Sequence, residues 1–99
     1  MNQHQPDDIR IPHRLWLAPG LSLREKALLA EIGNADPAEG YRASNREIIG
    51  FLGVAERQVR ACIAAVREKG FVTVKVNPNQ ERIIKPTGKL AKLTKRPRR

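Results

Sequence analysis

Ninety-nine residues, of which 40% are hydrophobic and only four are Trp, Tyr or Phe, make one small domain with a mostly aliphatic core and a net charge of +9. No apolar run approaches the ~18–20 residues of a membrane-spanning helix, and the opening residues lack the charged-then-apolar pattern of a secretory leader. A single cysteine cannot form an internal disulfide, which fits a reducing compartment.

The charge is uneven. Residues 1–20 are neutral, 21–54 carry −1, 55–76 carry +3 and 77–99 carry +7. Basicity gathered toward one end implies a polyanionic partner, nucleic acid ahead of an anionic membrane. The basic stretch has few apolar residues and no amphipathic helix pattern, so no membrane contact is expected.

Residues 1–8, "MNQHQPDD", show no apolar periodicity and are expected to be a disordered N-terminus. "IRIPHRLWLAPGLS" reads as an extended or single-turn segment under the fold, with Leu15 and Leu17 or Trp16 inward and a turn at Pro19-Gly20. A first full helix opens at the capping box "SLRE", where Ser22 and Glu25 can satisfy each other's backbone amides. Leu23, Ala27, Leu28 and Ile32 share one face, and Gly33-Asn34 ends the helix. "ADPAEGYRA" is a loop leading toward a short strand at 41–43.

A second capping box, "SNRE" at 44–47, starts the next helix, with Ile48 and Leu52 inward. Gly53 breaks it, and a further helix is predicted over 56–69 with Gly70 as its C-terminal cap. The pattern then changes to period two: "FVTVKV", the turn "NPNQ" and "ERIIKP" form a β-hairpin. Residues 87–99, with six cations and no acid, are expected to be a flexible tail. Residues 9–86 are thus the domain: mainly α with a small β-hairpin, α+β. A short glycine turn between two helices is helix-turn-helix chemistry, and a hairpin directly after them is a wing. The expected architecture is a winged helix-turn-helix, a three-helix core with a two- or three-stranded wing.

The 56–69 helix has two unlike faces. At about 100° per residue, Val59, Cys62, Ile63 and Val66 gather on one side. Arg57, Arg60, Ala61 and Ala64 gather on the other. Small residues let a backbone approach a major-groove floor, and a flanking Arg can bond guanine O6 and N7 in bidentate fashion. The alanines can lie on thymine methyls, and Gln58 can pair with adenine if it turns outward. Arg67, Lys75, Arg82 and Lys85 are candidates for phosphate, with Arg82 and Lys75 the first choices on the hairpin. The tail cations Lys89, Lys92, Lys95, Arg96, Arg98 and Arg99 would add affinity without sequence preference through counterion release.

"SNREIIGFLGVAERQVRACIAAVREKGFV" resembles the winged helix-turn-helix of bacterial regulators and phage proteins. "IPHRLWLAPGLSLREKALLAEI" is similar to the start of phage and plasmid replication-initiator domains. The resemblance covers about residues 11–76 and is most specific in "LGVAERQVRACI". It implies Arg57, Gln58, Arg60 and Ala61 as base-facing, and Ser44, Asn45 and Arg46 at a helix N-terminus as a phosphate site. Three positions depart from the pattern. Ala55 replaces a capping Ser or Thr, Ile49 a contact alanine, and Phe51 a polar residue.

No catalytic or metal-ligating constellation is visible. His4 and His13 have no cysteine or carboxylate at ligand spacing, Cys62 lies on the apolar face, and no glycine-rich phosphate loop occurs. The expectation is a non-enzymatic, cofactor-free, sequence-specific double-stranded DNA-binding protein of a phage, plasmid or other mobile element, cytoplasmic and nucleoid-associated, regulating transcription. An origin-binding replication or recombination factor is the alternative. From another class comes a protein-interaction winged helix contacting a partner through Phe51 or Trp16. A homodimer and a replication or transcription protein are partners the sequence leaves open.

Overall fold

The computed structural model describes residues 10–35 and 38–94, so the expectations for 1–8 and for Lys95, Arg96, Arg98 and Arg99 lie outside the described residues. The elements are α1 (His13–Leu17), α2 (Leu23–Gly33), α3 (Asn45–Leu52), α4 (Glu56–Glu68), β1 (Val72–Val76), β2 (Arg82–Pro86) and α5 (Gly88–Thr94). The chain is therefore mixed α+β, five helices and a two-stranded antiparallel hairpin among the described residues.

Local chemistry starts and stops these elements. In α2, Ser22 Oγ accepts the Glu25 amide at 3.1 Å and Glu25 Oε1 accepts the Ser22 amide at 3.0 Å. Ser44 and Glu47 repeat the arrangement at α3, at 3.2 and 2.8 Å. Each box satisfies two amides that a helix start otherwise leaves open. Gly53 ends α3 with φ of 69°, a left-handed conformation costly for residues with a Cβ, and its amide bonds Ile49 O at 2.7 Å. Three residues later α4 begins. Ala55 has no oxygen to cap it, and Gln58 Oε1 instead accepts the Ala55 amide at 3.4 Å.

The core draws on every helix and the hairpin. Leu15, Leu28, Leu29, Ile32, Ile48, Val59, Val66, Ile84 and Leu90 are fully buried. The inner face read for α4 (Val59, Cys62, Ile63, Val66) is the buried one. Burial pushes the Cys62 thiol up to about 11, with the Glu25 charge adding to the effect. Tyr41 exchanges backbone bonds with Ile84 at 2.8 and 2.9 Å, a single bridge rather than a third strand. Desolvation, with the charges of Glu31 and Glu47, raises its hydroxyl pKa to about 12.

Two expectations are corrected. Of the three residues Leu15, Trp16 and Leu17 only Leu15 is buried; Trp16 and Leu17 are 50% and 63% exposed. The segment is a helical turn, so three consecutive side chains point roughly 100° apart and one position reaches the core. The tail, expected to be flexible from residue 87, instead continues as α5 to Thr94. Leu90 of α5 is fully buried, and the helix packs on α1, α2 and β2. Thr87 Oγ1 donates to Gly70 O at 2.6 Å and its amide to Phe71 O at 2.9 Å, which ties the start of α5 to the end of α4.

Candidate nucleic-acid interface

The outward face of α4 is the one the sequence marks. Arg57, Gln58, Arg60, Ala61 and Ala64 are all exposed, on the side opposite the buried stripe. Arg57 stands in the first turn with no ion pair among the described residues. Arg60 donates to Glu56 Oε2 at 3.0 Å, one turn back. Its guanidinium is thereby tethered along the helix rather than free, while the pair stays open to solvent. Gln58 is exposed, but its amide oxygen is turned toward the α4 start. Arg67 is exposed in the last turn.

Beside the alanines lies a shallow groove between α4 and the start of α2, lined by Ser22, Arg24, Glu25, Gln58, Ala61, Cys62 and Ala65. Arg24 is a cation that sequence reasoning missed. It sits on the polar side of α2, and only the packing of α2 on α4 brings it to the alanine stripe.

The three residues expected to hold a phosphate divide. The Ser44 hydroxyl is occupied in capping. Asn45 donates to Glu56 Oε2 at 3.4 Å and accepts from Arg82 Nη1 at 2.6 Å. Arg46 is exposed, with no ion pair among the described residues.

The hairpin choices divide in the same way. The register pairs Thr73 with Lys85, Lys75 with Ile83 and Val76 with Arg82. Paired residues share a face and alternate residues share a face. Arg82 therefore lies on the inner face with the buried Ile84, and Lys75 and Lys85 lie on the outer face, exposed. Arg82 is half-buried; Nη2 donates to Ala43 O at 2.8 Å, and its Nε is buried without a partner. Desolvation lowers its pKa. Of the two first choices for phosphate, Arg82 is bonded as a strut joining the hairpin to α3, whereas Lys75, like Lys85, is exposed.

Arg82, Asn45, Glu56 and Arg60 thus form one polar chain from β2 through the α3 start to the α4 start. The bond from Asn45 and the adjacent Arg60 keep the Glu56 carboxyl below the usual carboxylate range. At the hairpin tip, Arg42 bonds Glu81 at 2.8 Å and Asn77 closes the turn through Glu81 O at 2.8 Å. Both contacts hold the turn end of the hairpin, Arg82 to the α3 start and Glu81 to Arg42 in the loop before α3.

Among the described residues no group of three or more His, Cys, Asp or Glu is placed to hold a metal ion. No described helix is long and apolar enough to cross a membrane. No protein family, curated protein or solved structure matches the chain.

Proposed function

We propose that this chain is a sequence-specific double-stranded DNA-binding protein, a winged helix-turn-helix that sets α4 in the major groove and regulates transcription for a phage, plasmid or other mobile element. The observation that carries the reading is the α4 outward face: exposed Arg57 and Arg60 around a floor of Ala61 and Ala64, with Arg24 in the groove beside them. Base edges are read by the arginines, and phosphates are met by Arg46, Arg67, Lys75 and Lys85. The turn at Gly53 and the hairpin strapped to α3 by Arg82 are the parts such a domain needs around a recognition helix. The reading includes no catalysis and no cofactor.

Selection of binding sites from random duplex DNA tests it, followed by titration at several salt concentrations. A defined motif is expected, together with affinity that falls steeply with salt. Absence of any motif, with Arg57→Ala binding like the wild type, overturns it. The similarity of residues 11–32 to initiator domains supports a second reading, origin recognition for replication. The selected motif separates the two: an operator beside a promoter supports regulation, and repeated sites within an origin support initiation. A palindromic motif would add a homodimer, since half-site symmetry mirrors protein symmetry.

A further inference from the structure

On the far side of the Lys69 end of α4 lies a cleft of about 810 Å³ between α1, the α4 C-terminus and α5. Its apolar surface comes from Leu17, Ala18, Phe71 and Leu93, and its charged members are Arg14, Lys69, Lys89 and Lys92. No acidic residue lines it. Leu17 is 63% exposed at the edge of this cationic rim.

The walls are pinned. Lys69 Nζ donates to Gly20 O and to Glu25 Oε1, both at 2.8 Å, which neutralises its charge and fixes the Pro19-Gly20 turn. Lys89 Nζ donates to Lys69 O at 2.8 Å and stands 4.6 Å from the Phe71 ring centroid. Two rim cations are therefore structural. Arg14 and Lys92 have no ion pair among the described residues.

We infer that this cleft docks a short acidic protein segment carrying a bulky apolar anchor. The anchor would sit on Leu17 and Leu93, and flanking carboxylates would pair with Arg14 and Lys92. Charge complementarity sets the sign of the partner: an apolar floor inside a rim with cations and no acids repels basic segments and favours acidic ones over neutral. Nucleic acid is the poorer occupant. Its phosphates would use the rim, but it offers the floor nothing bulkier than a thymine methyl, and the one aromatic ring there is 6% exposed and lies beneath Lys89. The pinned walls leave little ordering to be done on binding, which favours a small ligand.

A random dodecapeptide library displayed on phage, panned on the full chain at about 0.15 M salt, tests the inference. Enriched peptides should carry two or more Asp or Glu beside a large apolar residue. An enriched peptide, synthesised and measured by fluorescence anisotropy, should lose about tenfold or more in affinity against Leu17→Asp and against Arg14→Glu. Both side chains are exposed, so both variants should keep the wild-type circular dichroism. Arg57→Ala should bind the peptide like the wild type, which separates this site from the α4 face. No enrichment, enrichment of neutral or basic sequences, or affinity unchanged in both variants overturns the inference. So does binding to phosphatidylglycerol vesicles, or a concentration-dependent dimer, that is lost in Leu17→Asp while no acidic peptide binds. The DNA-binding proposal can fail without touching this result, since Leu17 and Arg14 lie outside the proposed DNA contacts.

Discussion

Leu90→Ala measures whether the basic C-terminal stretch belongs to the folded domain. Leu90 is fully buried beneath α5, where α1, α2 and β2 converge. Truncating a buried leucine costs about 2–5 kcal/mol, through lost transfer energy and the cavity left behind. Here the loss has a ceiling. A seven-residue helix can open locally, so the penalty cannot exceed the free energy that docks it. The lower part of the range, about 2–3 kcal/mol, is therefore expected. With a urea slope near 1 kcal/mol per molar for a domain of this size, the unfolding midpoint should fall by about 2–3 M. The melting temperature should fall by about 10–20 °C. Urea unfolding followed by circular dichroism reads the first and calorimetry the second. A flexible tail would leave stability within about 0.5 kcal/mol of the wild type, and that result would refute the docking of α5.

Gly33→Ala gives a sign test of the same contact. An added Cβ would lie 2.8 Å from Thr94 Cγ2 and 3.0 Å from Thr94 Cβ, so the full chain should lose stability. In the Leu90→Ala background, with α5 loosened, the same change should cost less or stabilise by up to about 1 kcal/mol, the helix preference of alanine over glycine; an equal loss in both backgrounds contradicts the contact. On the proposed DNA face, Arg57→Ala and Arg60→Ala should each cost about 1–3 kcal/mol at a selected site and relax its sequence preference, read by competition binding against single-base variants. Removal of residues 95–99 takes away four cations while leaving α5 intact. Cognate and random duplexes should weaken alike, with a log–log salt slope shallower by at most about 3–4; a selective loss at the cognate site would contradict a sequence-blind role. Glu25 yields a pH prediction. Burial alone would raise its pKa, but the bonds from Lys69 and the Ser22 amide outweigh burial and hold it below the ordinary 4.5. A carboxyl with a lowered folded pKa contributes stability above its unfolded value and loses it as pH falls through the folded one. Glu25→Gln should therefore be less stable than the wild type near neutrality, with the gap closing below about pH 4.5 in urea titrations at stepped pH; parallel curves would show that the ion pair is absent.

The elements readable from sequence were those with local causes. Ser22/Glu25 and Ser44/Glu47 act within one helical turn, Gly53 acts on its own φ, and the buried stripe of α4 follows from 3.6-residue periodicity. The exposed alanine and arginine face follows from the same periodicity, so the central part of the candidate site was legible too. What only the tertiary structure decided depends on distant neighbours. Arg82 and Lys75 look alike in a polar hairpin, and strand register puts them on opposite faces, one bonded into α3 and one exposed. Arg24 reaches the α4 groove only through helix packing. The stretch "GKLAKLT" carries Leu90 and Leu93 three residues apart, too little apolar surface to hold a helix by itself. Its stability comes from a hole that α1, α2 and β2 build together, and no local pattern can announce a cavity assembled from elements so far apart in the chain.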